Sequence, residues 1–216
     1  AVDLDQQGNF TTRMGIGRRT AVDAVAADVL AGEASAMEAA IPARDLVGVD
    51  VLAGTHDLAS LEYRPEVVAC LRDQVATWTQ WDAVVIDTPP AMGVVTLAGL
   101  AAAHQVVASV ACETEAYDQL DRLVEIIAKR VAPTLQPGLE LSWIVPTRHD
   151  ARRLLDRDVL GALERRLPGR VTPPIRDAVA VRDAYTAGMP VSVYDPASGV
   201  ARDYEIAMAT IIDKLA

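Results

Sequence analysis

The chain has 216 residues, of which 51% are hydrophobic, 23% charged and only 4% aromatic. That apolar content supports a sizeable buried core and excludes a disordered tail, while the scarcity of aromatics favours helices packed on a parallel sheet over an aromatic-rich β-sandwich. The net charge of −10 excludes a uniformly basic surface, and the most hydrophobic stretch, 94–110, is interrupted by His104 and Gln105, so no run reaches membrane-spanning length.

The opening, Ala1-Val2-Asp3-Leu4-Asp5, is acidic where a signal peptide would be basic, and it reads as the end of a strand already under way. Five apolar segments have the character of buried parallel strands: Ala1 to Leu4, Leu46 to Leu52, Ala83 to Ile86 with Asp87 at its tip, Gln105 to Ala111, and Leu139 to Val145. Helical periodicity alternates with them. Thr20 and Asp23 form a capping signal ahead of Val22, Val25, Val29 and Leu30, with Gly32 as the stop. Val67, Val68, Leu71, Val75 and Trp78 fall on one stripe, as do Leu120, Leu123, Val124 and Ile127, and again Tyr204, Met208, Ile211, Ile212 and Leu215. Alternation of this kind predicts βαβ units, and hence one doubly wound α/β domain with a mainly parallel sheet and helices on both faces. Cys70 and Cys112, far apart and in apolar segments, read as buried thiols of a reducing cytosol. His56, His104 and His149 share no metal-ligand spacing. Trp78 and Trp81 read as packing residues.

Ligands of open α/β sheets bind at the carboxyl ends of the strands. The residues standing there are Asp3, Asp5, Gln7, Gly8 and Asn9; Gly54 to Asp57; Asp87 to Pro90; Glu113; and Pro146 to Arg148. A rim this rich in carboxylates suits a hydrated Mg²⁺ held by one or two aspartates, with phosphates completing its shell. Val84-Val85-Ile86-Asp87-Thr88-Pro89-Pro90 is an apolar strand that delivers an aspartate to a rigid turn, the arrangement of a Walker-B carboxylate.

With the opening Val2-Asp3-Leu4-Asp5-Gln6-Gln7-Gly8-Asn9, this segment resembles the ParA branch of the deviant-Walker ATPases, the ParA/MinD group, whose members carry VDLDPQGN-like and IDTPP-like segments. Val49 to Leu58, Thr96 to Ala103, and Gly188 to Pro196 resemble further family segments in the same order, so the likeness runs along nearly the whole chain. Departures include Gln6 where proline is usual and His104 where aspartate is usual. The resemblance implies a P-loop NTPase-like fold, ATP and Mg²⁺ as cofactors, and roles residue by residue. Asp5 matches the aspartate that positions the attacking water, Asp87 the Walker-B aspartate, and Asp3 would lie near the metal through its water shell. Thr88 and Pro89 begin the second switch segment. Pro146, Thr147, Pro174 and Ile175 fall where the family encloses adenine. It also implies a homodimer, a ParB-like partner that stimulates hydrolysis, non-specific double-stranded DNA as ligand, no membrane association, and a cytoplasmic, nucleoid-associated location.

The family's phosphate loop, KGGxGK[ST], is not among these residues: Met14 to Thr20 is glycine-rich but has neither the lysine nor a strand before it. The expectation is therefore an N-terminally incomplete ParA-like domain over 1–216, lacking one βα unit. A catalytically inactive scaffold that binds DNA or a partner is the alternative, and a MinD-like cell-division regulator a third reading, disfavoured because no basic amphipathic tail follows Leu215-Ala216. Between Arg148 and Arg182 stand nine arginines against five acids, a net +4 within an acidic chain. Arg152, Arg153, Arg157, Arg165 and Arg166 are the candidate DNA contacts, weighed equally against a solvated helix face laced with ion pairs.

Overall fold

The computed structural model describes residues 1–17, 20–113 and 116–214, so Arg18, Arg19 and Leu215 from the motifs above lie outside the described residues. The chain forms two compact units: Ala1–His104 with Thr134–Gln136, and Gln105–Pro133 with Pro137–Ala216.

The first unit is built on a four-stranded sheet in the order β2-β3-β1-β4. Its strands are β1 (Val2–Asp3), β2 (Ala40–Pro42), β3 (Asp50–Leu52) and β4 (Ile86–Asp87). β1 runs parallel to β3 and β4, in the register Val2↔Leu52, Val2↔Ile86 and Asp3↔Asp87. β2 joins β3 as an antiparallel edge, a strand with no counterpart among the expected segments. The expected strand from Leu46 starts instead at Asp50, because 43–49 form the connection between β2 and β3: Gly48 turns with φ +76° and Val47 is fully exposed. Short helices connect the strands, namely α1 (Asn9–Arg13), α2 (Ala26–Ala31), α3 (Ala36–Ala39) and α4 (Leu58–Leu61). The longer α5 (Val67–Val75) and α6 (Val94–Ala102) complete the unit.

Capping sets where α2 begins. Thr20 and Asp23 are not its cap; Asp28 accepts the Val25 N–H at 2.9 Å, and Gly32 ends the helix with φ +75°, as its freedom from a Cβ allows. The core joins Val2, Leu4 and Leu52 of the sheet to Val29 and Leu30 of α2, Val67 and Leu71 of α5, and Val95 and Ala98 of α6. Trp78 and Trp81 pack against it, edge to face at 5.6 Å, and the Trp81 indole donates to Asp50. Gly99 lets α6 approach the sheet closely, since a Cβ there would meet Thr88, Leu4 and Ile86 side chains at 3.0 to 3.3 Å.

The second unit pairs β5 (Val106–Ala111) with β6 (Leu141–Thr147) in parallel. Its helices are α7 (Ala116–Ile126), which continues as a π-helical turn over Ile127–Val131, then α8 (Leu154–Arg166), α9 (Val179–Ala187), α10 (Val191–Tyr194) and α11 (Gly199–Ile212). Trp143, Val145, Ile175, Val200, Ala207 and Ile211 form a core here, with Tyr204 packed on it. The α11 stripe is therefore rotated from the expected one: Val200, Ala201, Ala207 and Ile211 are inside, while Met208 and Ile212 are exposed. Cys112 is buried and Cys70 half-buried, both as free thiols. Burial, and then Asp156, push the Cys112 thiol up to about 11, so it stays protonated at neutral pH.

Candidate functional site

The parallel register of β1 and β4 sets Asp3 beside Asp87 at the carboxyl ends of both strands. Asp5 follows two residues beyond the end of β1. Asp87 stands at the exposed rim, yet its carboxyl is pushed up to about 6, first by desolvation, then by the negative charges of Asp3 and Asp5, with Arg13 opposing. Three carboxylates thus act on one another against the single charge of Arg13, and a cation in the site would supply further countercharge.

Each aspartate is held differently. Asp3 is completely buried: its Oδ1 accepts the Asp5 N–H at 3.0 Å, and its Oδ2 accepts the Thr11 N–H at 2.8 Å and the Thr11 hydroxyl at 2.7 Å. The Thr11 hydroxyl in turn accepts the Gly54 N–H at 2.9 Å. Asp3, expected at the metal's water shell, thus has both oxygens engaged by protein donors. Asp5 is half-buried; its Oδ1 accepts the Gln7 N–H at 2.9 Å, and its carbonyl accepts the Gly8 N–H at 2.9 Å. Gly8 turns with φ +61°, and a Cβ there would lie 2.7 Å from the Gly54 carbonyl oxygen.

After Asp87, the segment 88–93 is held by its ends. The Thr96 hydroxyl donates to the Ala91 carbonyl at 2.6 Å. At the start of α6, the Glu62 carboxylate accepts the Val94 N–H at 2.7 Å, in the space that a side chain at Gly93 would fill. Sequence reasoning set Gly54 at the rim but missed Thr11 and Glu62. Thr11 and Glu62 look like ordinary helix residues in the sequence, and only the chain crossing brings them to the rim.

In the second unit, Pro146 and Ile175 are brought together: the Ile175 N–H donates to the Pro146 carbonyl at 2.8 Å, and the His149 N–H to the Ile175 carbonyl at 3.0 Å. The His149 Nε2 is buried with no hydrogen-bond partner among the described residues. Thr147 and Pro174 flank this junction. It is anchored by Arg176, whose guanidinium grips Asp203 at 2.5 and 2.9 Å.

The five candidate arginines divide. Arg152 and Arg153 both pair with Asp150, and the Arg152 side chain holds the Asp150 carboxyl far below the usual carboxylate range. Arg166 pairs with Asp121. Arg157 and Arg165 are exposed on α8, and no acidic partner faces either among the described residues. Among the described residues, no group of three or more His, Cys, Asp or Glu is arranged to hold a metal, and no helix is long and apolar enough to cross a membrane.

A family model described as an AAA domain matches residues 1–141. The chromosome partitioning protein ParA of Caulobacter vibrioides is 33% identical over 202 residues, covering 90% of this chain and 74% of that protein. The chain belongs to the ParA-type partition ATPase family. Among solved structures, cobyrinic acid a,c-diamide synthase from Mycobacterium smegmatis with a bound ATP analogue and magnesium superimposes with a TM-score of 0.79 at 29% identity, over 97% of this chain and 80% of that one. Apo McdA from Cyanothece does so with 0.84 at 17% identity, over 97% and 86%, a likeness of fold. The α/β fold with its mainly parallel sheet is thus that of the P-loop ATPases of the ParA/MinD group.

Proposed function

We propose that this chain is the larger part of an ATP-hydrolysing DNA partition protein, acting as one ATPase domain when joined to a phosphate-binding loop. The observation that carries the reading is the aspartate rim: strand register brings Asp3 to Asp87, Asp5 follows, and desolvation, then the charges of Asp3 and Asp5, lift the Asp87 carboxyl to about 6. The donor set fits Mg²⁺, which takes hard oxygen ligands and is usually held by one or two carboxylates plus substrate phosphates rather than by an all-protein cage. Asp87 would hold the metal's shell, and Asp5 would orient the water that attacks the terminal phosphoryl group. Magnesium, when bound, supplies charge neutralisation at the phosphates. Catalysis by this chain's own residues is positioning: Asp5 is fixed through its N–H, its carbonyl and one carboxylate oxygen, leaving the other oxygen for the water. Thr88 and Pro89 would open the segment that responds to the nucleotide, and Pro146, Thr147, Pro174 and Ile175 would border the adenine.

The relatives support a partition role, with dimerisation, activation by a ParB-like partner and non-specific duplex DNA binding as the finer parts of the proposal. The test is ATP turnover by the protein expressed with the coding sequence upstream of Ala1. Turnover is expected there, and Asp5→Ala should lower kcat by on the order of a hundred-fold, the contribution of a positioned proton acceptor. Absence of turnover in that protein, with DNA or partner binding intact, would replace the ATPase by a scaffold.

A further inference from the structure

We infer that Asp3 and Thr11 form a positioning pair that sets the pose of Asp5, with Thr11 linking the end of β1 to the end of β3; the inference rests on the ATPase reading above. The geometry leaves little freedom. Asp3 has no exposed surface, and it holds the Asp5 N–H with one oxygen and two Thr11 donors with the other. The hydroxyl of Thr11 has a single proton, committed to Asp3 at 2.7 Å, so toward the Gly54 N–H at 2.9 Å it acts only as acceptor. Donation thus runs from Gly54 through Thr11 to the Asp3 carboxylate, which accepts from the Asp5 N–H on its other oxygen and so ties Gly54 to Asp5.

Close packing backs the bonds. A Cβ on Gly54 would lie 2.7 Å from the Asp3 carboxyl carbon and 2.7 Å from the Asp5 carbonyl oxygen, so the β3 end, Asp3 and Asp5 are in mutual contact. A displaced Gly54 would therefore be felt at Asp5 through both the bonds and the contact. Buried charge-assisted bonds of this kind are stronger than neutral ones and costly to leave half made. Positioning errors well below the size of an atom are enough to slow a reaction that depends on alignment.

The experiment compares Thr11→Val, Thr11→Ser and Asp3→Asn in the protein that carries its upstream sequence. Valine matches threonine in shape but has no hydroxyl, serine restores the hydroxyl, and asparagine must turn its NH₂ donor toward either the Asp5 N–H or Thr11's two donors. Two readouts are taken. In the nucleotide-free protein, hydrogen exchange at the Asp5 and Gly54 amides should accelerate in Thr11→Val and Asp3→Asn, and return to the wild-type rate in Thr11→Ser. With ATP, kcat should fall by on the order of a hundred-fold in Thr11→Val, with KM within about two-fold and recovery in Thr11→Ser. Unchanged exchange at Asp5 in Thr11→Val overturns the inference, as does a kcat equal to that of Thr11→Ser. Protected amides in a wild-type protein that hydrolyses no ATP remove the ATPase reading and leave the anchor standing. If Asp3→Asn does not fold, the valine and serine pair decides alone.

Discussion

At Asp87, function and stability pull in opposite directions. The folded chain keeps its carboxyl protonated up to about pH 6, whereas an unfolded aspartate ionises near pH 4. The fold therefore binds that proton more tightly than the unfolded chain does, and ionising Asp87 lowers stability progressively from about pH 4 to about pH 6, with the full cost present above. Asp87→Asn removes the charge. It should raise the midpoint of thermal unfolding at pH 7.5 and leave it unchanged near pH 3.5; an equal shift at both pH values would place the effect elsewhere than in ionisation. A carboxylate kept at a cost to stability is what the proposed Mg²⁺ role of Asp87 would require.

The elements are held by contacts that cross between them. α6 carries no acid in its first turn, and its cap comes from Glu62, just beyond α4, through the bond to the Val94 N–H. Removing a cap of this type costs about 1 kcal/mol. Glu62→Ala should lower stability to urea by about that amount while Glu62→Gln, which keeps an acceptor, should lose less. Gly93→Ala should act in the same direction as Glu62→Ala, since its methyl would occupy the carboxylate's place. A Glu62→Ala protein as stable as the wild type would show that water caps α6 equally well. The edge strand β4 presents a second contrast. Val84, Val85 and Ile86 make up the continuous apolar run of a strand buried on both faces, but β4 lies at the border of its sheet and Val85 is 64% exposed.

Over the whole molecule, charge is distributed unevenly rather than uniformly. The chain is acidic, yet its arginines gather between 148 and 182. Asp150 is shared by Arg152 and Arg153 and Asp121 pairs with Arg166, so these three arginines keep at most one net positive charge. If duplex DNA is a ligand, the contribution falls on Arg157 and Arg165, which project from α8 without acidic partners among the described residues. Arg157→Glu with Arg165→Glu should weaken binding to random duplex at low salt and reduce the slope of log affinity against log salt by about 2, one phosphate for each arginine. Arg152→Glu alone should have a smaller effect, because Asp150 already neutralises it. Fluorescence anisotropy across a salt series checks this, and an unchanged slope in the double variant would exclude α8 from the interface.

The alternation of apolar runs and helical stripes was enough to read an α/β fold with parallel strands, and the aspartates at strand ends were legible because a parallel strand puts its last residue at the ligand rim. Residue type and place mark Asp5 and Asp87 as rim carboxylates, whereas the roles expected of them come from the resemblance to the ParA/MinD group. The antiparallel β2 was not legible, since Ala40-Ile41-Pro42 is too short for a period, nor was the late start of β3, which turns on a positive φ at Gly48. The Thr20 and Asp23 signal does not mark the start of α2, because Asp28 within the helix accepts the Val25 N–H and caps it there. That Arg166 is compensated, and that Asp3 has its second oxygen occupied, only the tertiary structure decided: Asp121 lies 45 residues from Arg166 and Thr11 eight from Asp3. Local sequence determines what a segment can form, whereas hydrogen-bond and charge partners are settled only when distant segments are packed together.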